Sequence, residues 1–574
     1  MKRTGAQLLI DTMKEENVDI VFGFPGGVVI PVFDALYGEH RLRLVLTRHE
    51  QGAVHAADGY ARSTGRVGVC LVTSGPGATN TVTGLATANF DSVPLVVFTG
   101  QVSRNMIGND AFQEADIVGI SRSVTKHNYL VTDRASLGRV IREAFHIART
   151  GRPGPVLVDL PKDVLTEASS EPIPQSVTIR GYNPVTRGHP LQIRKAAQAL
   201  ALAHKPLFYI GGGVNIAGAA AAFRKAQETV DVPTVVSLMG IGALPSDHPR
   251  FLGMVGMHGT YAANTAVQNC DLLFAIGTRF DDRATGDHAK FAPHARVVHV
   301  DIDPASISRN VAVEIPIVGD AASVLEDLLP HLQRPDHAEW IAETDEWRRS
   351  HPLGEIPGNG RLSPATVIRS IASEFPDAII CTEVGQHQMW TAQYYNFQDT
   401  RSFLTSGGLG TMGYGFPAAI GAQLGNPGRR VIDIAGDGSI QMNIQELATA
   451  VSEGVPVIVA ILNNGYLGMV RQWQEIFYKR RYSGVCLERA HGCPPDCTDP
   501  LHGCPPYSPD FVKLAQAYGA TGIRIKLPEE IEPALREARR ITDRPIFLDF
   551  QIEREANVWP MVPTGAGIHE MMNA

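Results

Sequence analysis

The 574-residue sequence lacks an excess of positive charge, long apolar runs and a recognisable targeting segment. It has 51 basic against 59 acidic residues, and a net charge of −8 gives no reason to expect nucleic acid or a membrane surface as a partner. Its longest apolar runs, such as VPVIVAIL at residues 455–462, are shorter than the roughly 18 residues that cross a bilayer. The amino terminus resembles neither a secretory leader nor a transit peptide, so we expect a cytoplasmic protein.

Three segments alternate short Val/Ile/Leu-rich strands with helices, and each pattern predicts a parallel α/β sheet. Proline-rich, polar stretches at residues 169–190 and 333–364 are predicted to be linkers between the segments. The predicted fold class is therefore α/β with three parallel-sheet domains. The predicted boundaries are 1–170, 190–332 and 360–552, followed by a carboxyl-terminal arm at 553–574. The three segments share an architecture but no close sequence repeat.

The third segment contains a GDG turn at residues 436–438 and the pair Asn463–Asn464. The pattern predicts a strand at 431–435, a helix with one apolar face, and a second strand at 455–462. Asp437 and Asn464 then follow neighbouring strands at the sheet edge where open α/β sheets bind ligands. One carboxylate and one amide oxygen make a half-site for Mg²⁺ that phosphate oxygens complete. The alternative is that both residues simply form turns, which each of them favours.

Glu50 lies in LVLTRHEQGAVHAADGYARSTG, where a strand ends and a helix begins. The helix starts with small side chains, including Ala53, Ala56 and Ala57, which leave room beside the glutamate. An isolated glutamate here would be read as a first-turn acid that favours the helix dipole. Together with the GDG…NN pattern, it becomes a candidate catalytic carboxylate.

The GDG…NN pattern resembles the diphosphate and Mg²⁺ motif of thiamine-diphosphate enzymes, and RHEQGA matches the place of their glutamate. Nearly the whole chain resembles the large catalytic subunits of acetohydroxyacid synthase, also called acetolactate synthase. The matching stretches, in order, include FGFPGG, TSGPGATN, DAFQEADI, GMHGTYAAN, RFDDR, VDIDPA, GQHQMW, SGGLGTMGYGFPAAIGA, GMVRQWQ and NVWPMVP. The resemblance implies a pyrimidine-binding, a central FAD-binding and a diphosphate-binding domain.

The resemblance implies three cofactors, thiamine diphosphate, Mg²⁺ and FAD, and assigns residues to each. The metal ligands are Asp437, Asn464 and the carbonyl of Tyr466. The thiamine diphosphate contacts are Thr73, Pro76, Asn80, Gln386, His387, Gly436, Gly438, Ser439, Gly468 and Met469. The FAD contacts are Arg152, Gly211, Gly212, Gly213, Gly256, Met257, His258, Gly259, Gly277, Thr278, Asp281, Arg283, Asp301, Ile302, Asp320 and Ala321. Without the resemblance, the run YIGGGVN would be weak evidence, although its amides could face a diphosphate at the start of a helix.

The resemblance assigns the catalytic chemistry to Glu50, Gln113, Lys162, Arg279, Met412 and Trp473. Glu50 would hydrogen-bond N1′ of the aminopyrimidine, and Arg279 would bind the carboxylate of a 2-keto acid. Trp473 would favour 2-ketobutyrate as the second substrate, and Phe112 would line the same pocket. Met412 would support the bent coenzyme, although an unassigned methionine is usually a core residue.

The implied reaction removes CO₂ from pyruvate and adds the remaining two-carbon unit to a second pyruvate or to 2-ketobutyrate. Its products are 2-acetolactate and 2-aceto-2-hydroxybutyrate, the entry to branched-chain amino acid synthesis. The implied site joins the first segment of one chain to the third of another, so a homodimer or homotetramer is expected. A small regulatory subunit is a further possible partner.

Three alternative functions stay open at this stage. A pyruvate oxidase or another FAD-containing thiamine-diphosphate enzyme would share the fold, and oxygen uptake or quinone reduction with pyruvate would reveal an oxidase. Glyoxylate carboligase has a nonpolar residue in place of the glutamate, so Glu50 argues against it. A non-catalytic assembly protein would have no need of intact Glu50, Asp437 and Asn464.

The sequence departs from the family pattern in two single residues and one segment. The family usually has Asp at the place of Glu383 and Ala or Val at that of Thr278, and neither departure is expected to touch an assigned role. The resemblance breaks off across residues 484–507, which contain HGCPP twice and four of the seven cysteines. The candidate zinc ligands there are Cys486, Cys493, Cys497, Cys504, His491 and His502.

A proline-stiffened surface loop is the first interpretation of this insertion. The spacing C-x₆-C-x₃-C-x₆-C lacks the close cysteine pairs of zinc sites. A cytoplasmic chain disfavours stable disulfides, so a redox-sensitive pair is the third possibility. The remaining cysteines, Cys70, Cys270 and Cys381, stand in apolar contexts that predict inert core residues. Deletion of residues 486–505 is expected to preserve FAD binding and to change thiamine diphosphate affinity more than the chemical step.

Overall fold

The computed structural model of the chain describes residues 2–489, 491, 493, 504 and 509–573. Three six-stranded parallel sheets carry the described part, and a short antiparallel pair joins the start of the chain to residues 168–169. Helices cover both faces of each sheet, so the inner strands are buried, while edge strands are partly exposed. The predicted fold class is confirmed. Within the described ranges, no helix has the length and apolar character needed to cross a membrane.

The first domain contains strands β1 to β8 and helices α1 to α8. The strands are β1 (Arg3–Thr4), β2 (Ile20–Phe24), β3 (Arg43–Leu46), β4 (Gly68–Val72), β5 (Leu95–Gln101), β6 (His127–Leu130), β7 (Pro155–Pro161) and β8 (Ala168–Ser169). The helices are α1 (Gly5–Glu15), α2 (Ile30–Leu36), α3 (Glu50–Thr64), α4 (Pro76–Thr79), α5 (Val82–Phe90), α6 (Ile117–Ser121), α7 (Leu137–Arg149) and α8 (Lys162–Thr166). The main sheet has the order β3-β2-β4-β5-β7-β6.

The middle domain contains β9 to β14 and α9 to α15. The strands are β9 (Pro206–Ile210), β10 (Thr234–Val236), β11 (Phe251–Met254), β12 (Leu272–Ile276), β13 (Arg296–Asp301) and β14 (Ile315–Val318). The helices are α9 (Pro190–Leu202), α10 (Gly212–Ile216), α11 (Ala220–Val230), α12 (Tyr261–Asn269), α13 (Asp282–Thr285), α14 (Ala321–Leu328) and α15 (Ala338–Ser350). The order β11-β10-β9-β12-β13-β14 reverses direction between β9 and β12, where such sheets open a ligand crevice.

The third domain contains β15 to β20 and α16 to α22. The strands are β15 (Ile379–Thr382), β16 (Phe403–Leu404), β17 (Val431–Gly436), β18 (Ile458–Asn463), β19 (Thr521–Ile525) and β20 (Ile546–Gln551). The helices are α16 (Pro364–Glu374), α17 (Gln386–Tyr394), α18 (Gly415–Gly425), α19 (Leu447–Ser452), α20 (Gly468–Phe477), α21 (Phe511–Ala517) and α22 (Pro528–Arg540). The order β16-β15-β17-β18-β20-β19 repeats that of the first domain, so the two domains share one topology despite different sequences.

Helices α3 and α18 hold the first and third domains together through small residues. A Cβ atom on Gly59 would lie 2.0 Å from the carbonyl oxygen of Ala418, and one on Gly421 would lie 1.8 Å from that of Ala56. Only glycine permits backbones to approach this closely. The alanine-rich sequence of α3 therefore serves this helix contact, which fixes the direction in which α3 presents Glu50.

Three predicted elements differ from the structure. Strand β18 begins at Ile458, three residues later than predicted, because Pro456 has no N–H group for the sheet. The helix predicted after the GDG turn is a 3₁₀ helix at Ile440–Glu446 followed by α19, with Asn443 outside helical geometry. The stretch 333–364, predicted as a linker, contains α15, whose Trp340 is buried and donates a hydrogen bond to the carbonyl of Pro206 at 2.9 Å.

Candidate active site and cofactor cavities

The GDG turn and the asparagine pair follow neighbouring strands, as the sequence predicts. Gly436 at the end of β17 lies opposite Leu462 in β18. The carboxylate of Asp437 accepts a hydrogen bond from the N–H of Gly465 at 2.8 Å. The amide oxygen of Asn464 accepts from the N–H of Tyr466 at 3.0 Å. Both side chains are buried, and these bonds fix their oxygens at the carboxyl edge of the sheet.

These residues line a cavity of about 70 Å³ whose walls come entirely from the third domain. It contains every third-domain residue that the sequence assigned to the metal or to thiamine diphosphate, together with the catalytic candidate Met412. Those residues are Gln386, His387, Gly436, Asp437, Gly438, Ser439, Asn464, Tyr466, Gly468 and Met469. A Cβ atom on Gly436 would lie 2.7 Å from the His387 ring, and one on Gly468 would lie 2.1 Å from Oε1 of Gln386. Glycine at these positions keeps the cavity open.

The polar groups of this cavity fit a metal-bound diphosphate. Burial raises the pKa of Asp437 to about 8, and a divalent cation would offset the cost of burying its charge. Burial lowers the pKa of His387 to about 3, so its ring is neutral at pH 7. Within the described part of the chain, Nε2 of His387 is buried and makes no hydrogen bond. A phosphate oxygen would satisfy that nitrogen, and the donor set suits Mg²⁺ that keeps phosphate ligands.

Gln386 acts through Asn464 in this structure. Its amide nitrogen donates to Oε1 of Gln472 and to the carbonyl of Ala556, both at 2.9 Å. Its oxygen accepts from Nδ2 of Asn464 at 3.4 Å. The side chain that the sequence assigned to the diphosphate therefore orients a predicted metal ligand, and it joins that ligand to the carboxyl-terminal arm.

A second group of predicted residues surrounds Glu50 in the first domain. The buried carboxylate of Glu50 accepts a hydrogen bond from Nδ2 of Asn80 at 3.0 Å. The hydroxyl of Thr73 is buried beside it and makes no hydrogen bond within the described residues. Pro76 begins α4 in the same turn, and Gln113 packs against Gly75. The group combines a carboxylate, an amide and an unsatisfied hydroxyl, which suits a nitrogen-containing ring.

The structure does not bring all the substrate candidates into one cavity of a single chain. Trp473 is half-buried on α20, with its ring centroid 5.8 Å from that of Phe477. Lys162 is exposed at the start of α8, and Phe112 is 88% exposed. Arg279 lines a different, larger cavity in the middle domain. The candidates therefore form separate groups on one chain.

The larger cavity, of about 430 Å³, opens at the crevice between β9 and β12. Most residues that the sequence assigned to FAD line it, beside Arg279: Arg152, Gly212, Gly213, Gly277, Thr278, Asp281, Asp301, Ile302, Asp320 and Ala321. A cavity of this size at a topological switch point suits a dinucleotide. Burial raises the pKa of Asp301 to about 6.

Two parts of the predicted FAD set have other contacts. The N–H groups of Gly211 and Gly213 donate to the carbonyls of Ile276 and Gly277, both at 2.9 Å, which corrects the expectation that both face a diphosphate. A separate cluster lies beyond the cavity walls and consists of Gly256, Met257, His258, Gly259 and Arg283. There the N–H of Met257 donates to the carbonyl of Arg283 at 2.8 Å, and Nδ1 of His258 lies 3.1 Å from the carbonyl oxygen of Pro560 in the arm.

Glu383 has a role near the site that sequence reasoning missed. Its buried carboxylate accepts hydrogen bonds from the N–H groups of Gly413 at 2.6 Å and Phe416 at 3.1 Å. Burial raises the pKa of Glu383. Glu383 therefore holds the loop that carries Met412, a contact that the sequence did not indicate.

The start of the insertion, residues 485–487, pairs with residues 465–467, which directly follow Asn464. The N–H of Leu467 donates to the carbonyl of Val485 at 2.9 Å, and that of Leu487 donates to the carbonyl of Gly465 at 2.8 Å. A Cβ atom on Gly438 would lie 3.3 Å from Cδ1 of Leu487, so this leucine covers the GDG turn. No sequence signal pointed to Leu487, because the family pattern stops at this segment.

The zinc and redox interpretations of the insertion fall partly outside the described residues, which exclude two of the six candidate ligands, Cys497 and His502. Among the residues that the structure does describe, no group of three or more His, Cys, Asp or Glu side chains is placed to hold a metal ion. Cys70, Cys270 and Cys381 are buried, as predicted, and burial raises the pKa of each thiol.

The fold and two groups of residues, one around Glu50 and one around Asp437 and Asn464, define a thiamine-pyrophosphate enzyme. We call these groups the two half-sites. Three family profiles match the three domains: the thiamine pyrophosphate enzyme amino-terminal TPP binding domain at residues 3–120, the central domain at 193–328 and the carboxyl-terminal TPP binding domain at 383–550.

Full-length relatives narrow the class further. The chain is 49% identical to the acetolactate synthase large subunit of Corynebacterium glutamicum, over 100% of this chain and 90% of the relative. It is 47% identical to the acetolactate synthase isozyme 3 large subunit of Escherichia coli, over 99% and 98% of the two chains. A probable large subunit from Methanocaldococcus jannaschii is 48% identical, over 98% and 94%. The chain belongs to the acetolactate synthase large subunit family, a family of thiamine-diphosphate-dependent carboligases, which confirms the predicted family and activity.

Proposed function

We propose that the chain forms 2-acetolactate from two molecules of pyruvate, and 2-aceto-2-hydroxybutyrate from pyruvate and 2-ketobutyrate. The observation that carries this proposal is the pair of complementary half-sites, one around Glu50 and one around Asp437 and Asn464. Each half-site has buried polar atoms that a part of thiamine diphosphate would satisfy, namely the Thr73 hydroxyl and Nε2 of His387.

The third-domain cavity would hold Mg²⁺ and the diphosphate. Asp437, Asn464 and the carbonyl of Tyr466 would bind the metal, whose other ligands are phosphate oxygens. Small residues leave room for the phosphates to approach the backbone; these are Gly436, Gly438, Ser439 and Gly468. The ring of His387 would bind one of the phosphate oxygens. Gln386 keeps Asn464 oriented.

Thiamine diphosphate, when bound, supplies the carbon nucleophile and the electron sink for loss of CO₂ from a 2-keto acid. Glu50 would hold a proton at N1′ of the pyrimidine, and Asn80 fixes the direction of its carboxylate. Met412 and Met469 give the cavity apolar walls, which exclude water from the reacting atoms.

Substrate binding falls to charged and aromatic side chains around the half-sites. The guanidinium of Arg279 would bind the carboxylate of a keto acid through two hydrogen bonds. Trp473 would form an apolar wall for the side chain of the second keto acid. Gln113 and Lys162 from the first domain would complete the pocket.

FAD would occupy the middle-domain cavity as a bound cofactor without net oxidation or reduction. Its diphosphate would lie near Gly212 and the start of α14, and Arg152 would approach its negative charge. The cluster of Gly256–Gly259 with Arg283 would contact the part of FAD that extends beyond this cavity.

A complete site requires at least a homodimer, since no first-domain residue lines the diphosphate cavity. Both half-sites have exposed apolar side chains at their rims: Phe112 in the first domain, and Leu409, Met442 and Val470 in the third. A second copy of the chain would cover them. Because relatives are named large subunits, a small regulatory subunit is a further proposed partner.

A colour assay tests this function directly. The purified chain is incubated with pyruvate, thiamine diphosphate, Mg²⁺ and FAD, and the product is measured as acetoin after acid decarboxylation. We expect colour that depends on thiamine diphosphate and Mg²⁺, with no oxygen uptake. Pyruvate-dependent oxygen uptake or quinone reduction without colour would instead identify an oxidase. The absence of both colour and oxidase activity would contradict a catalytic role.

A further inference from the structure

A second large cavity, of about 380 Å³, lies where the three domains meet and has no role in the proposed reaction. We call it the junction cavity. Its walls come from the end of α1, from α3, from α7, from α10 and from residues 401–404 just before and within β16. All three domains therefore contribute residues to its walls.

The charged wall of the junction cavity contains one more cation than anion. Three of its arginines each pair with an acidic wall residue: Arg62 with Asp91 at 3.0 Å, Arg66 with Asp19 at 2.6 Å, and Arg149 with Glu16 at 2.6 Å. The fourth arginine is Arg401, which lies within 4 Å of no carboxylate among the described residues. Arg62 also pairs with the buried carboxylate of Asp58 at 2.6 Å, and Glu16 is shared with Arg142 at 2.7 Å. Arg401 is therefore the wall arginine that has no carboxylate partner among the described residues.

Arg401 is held in place by backbone contacts alone. Its Nη1 donates to the carbonyl of Arg62 at 2.9 Å, and its Nη2 donates to that of Ile216 at 3.2 Å. The side chain is half-buried, and burial lowers the pKa of Arg401 with no acidic group to oppose the effect. A guanidinium has five N–H groups, so donors remain after these two bonds. A half-buried cation without a partner favours an anionic ligand.

The rest of the wall is mainly apolar, with Asn17, Tyr60, Ser92 and Asn215 as its polar members. Val18, Val67, Val93, Phe145 and Phe403 line it, and its volume lies in the range of small-molecule sites, roughly 300–1,000 Å³. A single guanidinium without a carboxylate partner suits a monoanion better than a phosphate, which carries more than one negative charge at neutral pH. We propose that the junction cavity binds a small aliphatic monocarboxylate, with its carboxylate at Arg401 and its alkyl group against the valine and phenylalanine side chains.

This site is separate from the proposed FAD site but shares a wall with it. Asp91, Gly212, Ile216 and Met239 line both cavities. Asp91 also accepts hydrogen bonds from the N–H groups of Gly407 and Gly408, near Met412. A ligand in the junction cavity would stabilise this shared wall, so we assign it an effector role instead of a catalytic one. The assignment does not depend on the roles proposed for Glu50 or Asp437.

Calorimetric titration of the full chain with isovalerate tests the proposal, both without and with FAD bound. We expect saturable binding of about one isovalerate per chain, no binding of the neutral isovaleramide, and weaker binding of inorganic phosphate. Arg401→Gln should weaken isovalerate binding about tenfold or more, and Arg401→Lys should weaken it less. Val67→Trp, which fills the cavity without touching a charge, should abolish binding.

Arg279→Gln is the matched control, because Arg279 is the other arginine proposed to bind a carboxylate, and it should leave isovalerate binding unchanged. Thermal unfolding of each variant establishes that it is folded. If Arg401→Gln does not fold, Val67→Trp provides an independent test. Equal binding by the parent and Arg401→Gln would overturn the proposal. So would loss of binding in Arg279→Gln, or displacement of isovalerate by FAD, since either would locate the carboxylate elsewhere.

Discussion

Glu50 combines two properties that the sequence could not separate. As the first residue of α3 it favours the positive end of the helix dipole, and it also accepts the hydrogen bond from Asn80. The start of α3 has a separate support, since the ring of His49 accepts a hydrogen bond from the N–H of Gln51 at 3.1 Å. The helix therefore does not depend on the carboxylate, and the two roles can be tested apart.

Replacement of Glu50 by glutamine should preserve the fold and abolish most of the activity. An amide of the same shape leaves α3 and the contact with Asn80 nearly intact but cannot hold the proton at N1′. We expect turnover to fall by a factor on the order of 10²–10⁴ at unchanged FAD content and thermal stability. Steady-state acetolactate formation measures this. Near-normal activity would exclude Glu50 as the catalytic carboxylate.

Replacement of Trp473 by leucine should change which product is made. The variant should still form acetolactate, but its preference for 2-ketobutyrate should fall by tens-fold at most, because one methyl group in an apolar pocket contributes about 1–3 kcal/mol. A competition assay with both keto acids gives the product ratio. Leu527→Ala, at an exposed position that lines none of the three cavities, is the control. An unaltered product ratio in Trp473→Leu would assign the selectivity to another residue.

Short motifs and the family resemblance were enough to predict which residues the structure groups around Glu50 and around the GDG turn, because strand ends and glycine turns have local sequence patterns. They could not predict which polar groups form hydrogen bonds with each other between distant parts of the chain. The hydrogen bonds of Gln386 to Gln472 and Ala556, and of Glu383 to the Met412 loop, join residues far apart in the chain. Such contacts depend on the packing of whole elements, for which one sequence carries no local signal.

The start of α3 is held by an element of the third domain. Glu446, at the end of the 3₁₀ helix, accepts hydrogen bonds from the N–H groups of Arg48 and His49 at 3.0 and 2.9 Å, and from the hydroxyl of Thr449 at 2.6 Å. Burial raises the pKa of Glu446 to about 7 from its ordinary value of 4.5. Between pH 4.5 and about 7, the folded chain therefore holds a proton here that the unfolded chain has released.

Stability at this contact should decrease as pH rises. The contribution of Glu446 to the free energy of unfolding is complete below pH 4.5 and is lost as pH rises through 7. Its size is on the order of 3 kcal/mol at most. Glu446→Gln removes this titration while it keeps an acceptor for Arg48 and His49. The melting temperature of the parent minus that of the variant should be larger at pH 5 than at pH 8, and a difference independent of pH would contradict the assignment.

The pairing of residues 485–487 with residues 465–467 links the insertion to cofactor binding. Leu487→Ala keeps the backbone hydrogen bonds and removes the side chain that covers the GDG turn. We expect a several-fold weaker apparent affinity for thiamine diphosphate and unchanged turnover at saturation, as measured by activity against cofactor concentration. Leu527→Ala again provides the matched control. A fall in turnover without a change in affinity would show that this segment acts on chemistry.

At the level of elements, apolar runs were sufficient to predict β17 and β18, the strands that the GDG turn and the asparagine pair follow, because buried parallel strands are short and continuous in Val, Ile and Leu. The errors came from tertiary contacts. Asn443 leaves helical geometry to donate its amide to the carbonyl of Gly413 at 2.6 Å, which divides the predicted helix. In α15, most residues outside the face that buries Trp340 are charged or polar, so the sequence has no clear apolar periodicity and its pattern predicts a linker.

The whole molecule contains two incomplete half-sites. Among the described residues of one chain, no cavity is lined by both of them. Glu50 and its neighbours belong to the first domain, and the diphosphate cavity has only third-domain walls. The α3–α18 contact fixes both domains within the chain, so flexibility between them does not explain the separation. A two-fold pairing of copies would place the first domain of one against the third of the other, and would do so twice.

A mixed dimer tests this arrangement. Glu50→Gln disables one half-site and Asp437→Asn the other, so each homodimer should be nearly inactive. Co-expression with two different affinity tags isolates the heterodimer, in which one site carries both changes and the other carries neither. Its activity should be about half that of the parent. A heterodimer of Asp437→Asn with Asn464→Ala is the control, because every site then keeps one defect and no activity should return. If the Glu50→Gln and Asp437→Asn heterodimer were as inactive as its parents, each chain would have to build its own site.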